Sequence, residues 1–173
     1  MSGEDLERVL TPRLVCERIR ADDADELAPI LLDPRILEWL DPAGDPARWD
    51  AQRAAERYDR HWHECGFGQW LLRDRETGQV VGRGGLQFTD YVQPRQVEVA
   101  WTILPERWGQ GLATEMAHAA VAAAFGPLGL SELVALTRPH NVASRRVMEK
   151  TGFAHQGDIV CDGLTHVLYR RTR

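Results

Sequence analysis

The chain of 173 residues and 19.6 kDa is long enough for one well-cored domain and too short for two of ordinary size. With 43% hydrophobic and 27% charged residues it has a globular composition, which excludes disordered, collagen-like and disulfide-stapled classes. A formal charge of -5, from 26 acidic against 21 basic side chains, argues against nucleic acid as a partner.

No run of about 18 apolar residues occurs, and the start is acidic where a secretory leader would be basic and then apolar, so no membrane partner and a cytoplasmic location are expected. Cys16, Cys65 and Cys161 are odd in number and lack a C-x-x-C pair, so they read as reduced packing residues and not as a disulfide frame or a zinc knuckle.

Residues 1–12 read as an N-terminal extension and 13–173 as the domain. Arg13 to Ile19 alternates apolar and polar side chains, the period of a half-buried strand, and Ala21-Asp22-Asp23 offers a helix start. Pro29 and Asp33-Pro34 interrupt the apolar segment from Leu27 to Leu40, predicting two short helices with Asp33 capping the second. Asp45-Pro46 repeats the cap-then-proline signal and predicts a long helix over 47–65, ended by Gly66.

From Gln69 the period becomes two. Gln69 to Asp74, the turn Arg75 to Gly78 and Val80 to Phe88 predict a hairpin, and Gln96 to Ile103 predicts the next strand. In that strand Val97, Val99, Trp101 and Ile103 share one face, and Glu98, Ala100 and Thr102 the other. An alanine-rich amphipathic helix is predicted over 110–125, a buried strand over 132–137, a helix from Asn141 to Lys150, and a last hairpin over 153–160 and 165–171. The sum is an α+β domain: a mixed, mostly antiparallel twisted sheet flanked by helices.

The informative segment runs from Ile103 through Trp108, Gly109, Gln110 and Gly111 to Glu115: a strand end, a glycine-bearing turn and a helix start. Glycines let backbone approach a bulky anion, and the first helical turn offers unpaired N–H groups at the positive end of its dipole. A pyrophosphate site is expected, although two glycines also suffice for a plain tight turn. The P-loop is excluded because no Gly-Lys-Ser or Gly-Lys-Thr occurs. A Rossmann fingerprint is nearer, with Glu132 lying 21 residues beyond Gly111, but Thr114 stands where its third glycine belongs.

With its following helix, the segment resembles the GNAT superfamily of acetyl-CoA-dependent N-acetyltransferases, and more closely its RimJ/RimL-like branch. The family loop has the pattern Gln/Arg-x-x-Gly-x-Gly/Ala. Gly111 and Ala113 match it and Trp108 departs from it, in the Trp-Gly-x-Gly-x-Ala form of that branch. The second match is Asn141-Val-Ala-Ser144 followed by Glu149-Lys-Thr-Gly152-Phe153.

The resemblance implies acetyl-CoA as co-substrate. Its pyrophosphate would be held by main chain of the loop comprising Trp108, Gly109, Gln110, Gly111, Leu112, Ala113 and Thr114. Its pantetheine arm would lie against Trp101, Thr102, Ile103 and Leu104 and near Asn141 and Ser144. Arg138, Arg145 and Arg146 read either as partners of the adenosine 3′-phosphate or as solvent-facing. The usual tyrosine acid is replaced by Met148, which leaves Ser144, a water or no protein group to protonate the leaving thiolate.

Glu98, matching a glutamate found on this strand in many members of the family, is the candidate general base, with a glutamate in solvent or in a structural ion pair with arginine as the alternative. Transfer to a primary amine by direct attack is expected, the acceptor being a protein N-terminus, an antibiotic or a small metabolite. A non-catalytic acyl-CoA-binding module is the rival reading, and a homodimer is left open. Trp39, Glu38, Asp41 and Asp162 hint at a cationic acceptor. His61-x-His63-x-Cys65 is not read as a metal site, because helical residues two apart point to different faces; no metal is expected.

Overall fold

The computed structural model describes residues 4–40 and 50–173. In chain order its elements are α1 (Glu4–Glu7), β1 (Arg8–Leu10), β2 (Leu14–Arg18), α2 (Ala24–Leu31), α3 (Pro34–Leu40), α4 (Ala51–Cys65), β3 (Gln69–Asp74), β4 (Val80–Thr89) and β5 (Gln96–Ile103). After a 3-10 turn at Pro105–Arg107 come α5 (Leu112–Phe125), β6 (Glu132–Thr137), α6 (Val142–Lys150), β7 (Ala154–Cys161) and β8 (Leu164–Thr172). The strands form one eight-stranded sheet in the order β1-β2-β3-β4-β5-β6-β8-β7. Every neighbouring pair is antiparallel except β5 and β6.

Several boundaries differ from the sequence reading for identifiable reasons. Pro29 lies inside α2 and does not break it; the interruption falls at Leu32–Asp33, where Leu32 N–H closes the helix on Ala28 C=O. The long helix α4 is capped by Asp50, whose carboxylate accepts from Arg53 N–H at 2.8 Å, whereas Asp45-Pro46 lies outside the described residues. α5 begins at Leu112 and not at 110, because Gly111 takes a left-handed conformation (φ 78°) that ends the turn. β1 has no counterpart in the sequence reading, since three residues are too few to display a period. It sits in the stretch read as an extension, where Leu6 is buried and its carbonyl accepts from the Trp70 indole at 2.8 Å.

The sheet buries both faces. On one, Leu14, Cys16, Trp70, Leu72 and Val99 pack with Met116, Ala117 and Ala120 of α5. On the other, Ile19 and Leu71 pack with Leu27, Ile30 and Leu31 of α2 and Ala54, Ala55 and Tyr58 of α4. The alanines of α5 meet a glycine-rich strand: a Cβ on Gly84 would lie 2.5 Å from Met116 Cε, so helix and sheet approach closely only because β4 lacks side chains there.

Candidate active site

β4 and β5 pair continuously from Gly82↔Ile103 to Thr89↔Gln96, whereas β5 and β6 pair at Glu98↔Val134 alone. Beyond Glu98 the two parallel strands diverge. Leu104 N–H donates to Val81 C=O, and the antiparallel alternation then turns the main-chain groups of Thr102 and Ala100 toward β4 as well. Those of Trp101 and Ile103 point into the gap. The Ile103 carbonyl is occupied by the Trp108 indole N–H at 2.7 Å. Of the four residues expected along an extended ligand, Thr102 and Leu104 therefore have their main chain committed to β4. The gap keeps Trp101 N–H and C=O and Ile103 N–H.

The gap leads to the glycine loop. Gly109 and Gly111 both have positive φ (75° and 78°), and Gly111 caps α5 without any side-chain bond to the helix. Among the described residues, the N–H groups of Gln110, Gly111, Leu112, Ala113 and Thr114 have no acceptor; the first helical bond is Glu115 N–H to Gly111 C=O. This row of unpaired donors at a helix start suits a phosphate-type anion. The loop is held from outside: Arg13 donates to Gln110 C=O at 2.8 Å, and Arg107 to the Gln110 side chain at 3.0 Å. The Leu112 side chain is buried in the core, so its role as a ligand reduces to its N–H.

On the opposite side of the gap, Asn141 caps α6, its Oδ1 accepting from Ser144 N–H at 3.1 Å. Both residues line a cleft of about 680 Å³ together with Glu98, Ala100 and Trp101. Arg138 also lines it, with Nε and Nη1 buried and unpartnered. Arg145 is used internally, donating to Tyr169 Oη and Pro139 C=O, and Arg146 is exposed. Met148 is 1% exposed and belongs to the core.

Glu98 projects into this cleft from the centre of the sheet. Burial pushes its carboxyl up to about 7, opposed by a hydrogen bond from Gln87 Nε2 at 3.2 Å and by the charge of Arg83. It forms no salt bridge within 4.0 Å among the described residues. A carboxyl poised near neutrality in a cleft is suited to accept a proton at physiological pH. The Cys161 thiol, in the same cleft, is pushed to about 11 by burial first and then by the charges of Glu98 and Asp162, so it stays protonated.

The remaining wall comes from Trp39 and Leu40 of α3, from α4, and from the loops at Tyr91 and Asp162. Tyr91 Oη donates to Asp162 Oδ2 at 2.6 Å, tying those two loops together. Glu38 is exposed and Asp41 lies outside the described residues. The lining carries both signs of charge, with Arg57, Arg60, Arg83, Arg95 and Arg138 facing Glu64, Asp90, Glu98 and Asp162. His61 faces the cleft, bonded between Phe67 C=O and Phe88 N–H, while His63 turns toward Asp59. No cluster of metal-ligating side chains occurs among the described residues. His118 is exposed, and His140, also exposed, stacks on Trp39 with ring centres 5.2 Å apart.

The sequence reading missed Arg83, Gln87 and Gln69. Gln87 was accessible in principle, since a hairpin register placing it opposite Glu98 follows once the β4–β5 loop length is known. Arg83 and Gln69 carry no sequence signal that separates them from surface residues.

A sheet split beside a central strand, with a phosphate-type loop at one end of the split and a near-neutral carboxyl at the other, defines an acyl-transfer class of protein. Residues 13–154 match the family model of the acetyltransferase (GNAT) domain, and the chain belongs to that family. It is 25% identical over 147 residues to YoaA, an uncharacterized N-acetyltransferase of Bacillus subtilis (strain 168), covering 85% of this chain and 82% of that protein. A Bordetella pertussis structure assigned to the GnaT-family acetyltransferases superposes with a TM-score of 0.82 at 27% identity, covering 95% of this chain and 99% of that one. The aminoglycoside acetyltransferase AAC(6')-Ib, solved with coenzyme A, shares the fold at a TM-score of 0.74 and 19% identity, over 92% of this chain and 95% of that one. A Rossmann assignment is overturned: the sheet is mostly antiparallel, not doubly wound.

Proposed function

We propose that the chain transfers an acetyl group from acetyl-CoA to a primary amine by direct attack, with Glu98 as general base. The observation that carries this reading is a carboxyl with pKa about 7 on the strand whose main chain faces the gap. The residues fit the co-substrate: unpaired N–H groups at Gln110 to Thr114 suit its pyrophosphate, and Trp101, Ile103 and the side-chain amide of Asn141 suit its amide-bearing arm. Acetyl-CoA supplies the activated acyl group. Glu98 takes the amine proton as the C–N bond forms, and the C–S bond then breaks with release of CoA thiolate, which gains a proton from Ser144 or water. The Trp108-Gly-x-Gly-x-Ala loop favours the RimJ/RimL-like branch.

Calorimetry with acetyl-CoA should give one site per chain, and thiol release should follow addition of a suitable amine. Binding without thiol release from any amine would favour the non-catalytic module. Binding of NAD in place of acetyl-CoA would remove both readings.

A further inference from the structure

Arg83 sits on β4 between Gly82 and Gly84, is 6% exposed, and lines the cleft that contains Glu98. Its partners are modest for a buried cation. Nη1 donates to Gln69 Oε1 at 3.1 Å, the guanidinium lies 5.5 Å from the centre of the Tyr58 ring, and Nε is buried with no acceptor. Gln69, 1% exposed and lining the same cleft, has its Nε2 buried without an acceptor. No carboxylate forms a salt bridge with Arg83 among the described residues. Glu98 interacts with it through charge, without a salt bridge, and a guanidinium fork matches a carboxylate's two oxygens.

We infer that Arg83 and Gln69 form a carboxylate subsite within the acceptor cleft, so that the acceptor is a small amine that also carries a carboxylate. The inference rests on the acetyltransferase reading above and narrows its acceptor. Arg83 and Thr102 are partners across β4 and β5, as are Gln87 and Glu98, so Arg83 and Glu98 project from the same face. The anion and the amine of one short molecule are thereby addressed by different side chains of the same wall.

The test is thiol release from acetyl-CoA with the common α-amino acids, β-alanine and 4-aminobutyrate, each supplied as free acid and as primary carboxamide. At least one acid should exceed its carboxamide in kcat/KM by about 10- to 100-fold, the range of a charged hydrogen-bonded contact. Arg83→Gln should erase that ratio, and Arg83→Lys should restore part of it. An effect of Arg83 exerted only through the Glu98 carboxyl would shift the pH profile equally for acids and carboxamides and leave their ratio intact, which overturns the subsite. Wild-type turnover of carboxamides at the rate of the acids overturns it without any variant and leaves the acetyltransferase reading standing. Thiol release from no amine, in protein that binds acetyl-CoA, overturns that reading and the subsite with it.

Discussion

Arg13 and Glu115, separated by 102 residues, meet twice: Glu115 Oε1 accepts from Arg13 N–H and Oε2 from the guanidinium, each at 2.7 Å. Thr11 Oγ1 adds a third bond at 2.6 Å. Burial pushes the Glu115 carboxyl up, but these bonds outweigh it and hold the group below its ordinary value. Glu115→Ala should therefore cost about 2–4 kcal/mol at pH 7. A carboxyl with a depressed folded pKa contributes stability above its unfolded value near 4.5, and that contribution disappears as pH falls through the folded value. Urea denaturation at pH 7 and pH 3.5 should show the wild-type advantage shrinking at the lower pH.

Glu98 has the opposite sign. Its folded pKa of about 7 lies above the ordinary 4.5, so the fold favours the protonated form and loses stability as pH rises between the two values. Glu98→Gln should raise Tm at pH 8 more than at pH 5. The same substitution should lower kcat/KM by about 10²- to 10⁴-fold above pH 7 and remove an inflection near pH 7 from the profile. A retained inflection would assign that titration to another group.

Gly111→Asp should fold and lose CoA affinity by more than about 100-fold. A side chain at φ 78° costs about 1 kcal/mol, and a carboxylate beside the unpaired N–H row competes with an anionic ligand. Circular dichroism and calorimetry on the same preparation separate folding from binding.

The glycines of β4 should rank by what they touch. A Cβ on Gly82 would collide with the Thr102 carbonyl oxygen and come within 3.0 Å of Ile103 Cα, both backbone atoms of the adjoining strand. At Gly84 the main obstacle is the mobile end of Met116. Gly82→Ala should destabilise by about 3 kcal/mol or more and Gly84→Ala by about 1–2 kcal/mol, measured by urea denaturation.

The strands β3 to β5 were legible because their period of two and their turn residues agree with the sheet, and β6 because a short run apolar on both faces suits a strand covered on both sides. The face on which Glu98 lies was legible from the alternation of β5, which sets it beside Ala100. The gap between β5 and β6 was not, because a strand that pairs on one side has the same sequence period as one that pairs on both. Arg83 escaped notice because a strand's period does not tell a buried arginine from a solvent-facing one; its burial comes from Tyr58 and Gln69, brought to it by α4 and β3. The cap at Asp50 was missed in favour of Asp45-Pro46, an equally good local signal that local chemistry alone does not rank.

β5 is the fifth of eight strands, yet past Glu98 it is an edge strand on one side. Edge strands ordinarily invite another chain to add on, a hazard for an exposed sheet. Here the open edge lies in the interior of the sheet, with β6 and the start of α6 on its far side, and not at the rim where another chain's strand would add. Amide hydrogen exchange should register this as an odd–even pattern along one strand: Trp101 and Ile103 fast, Ala100 and Thr102 slow.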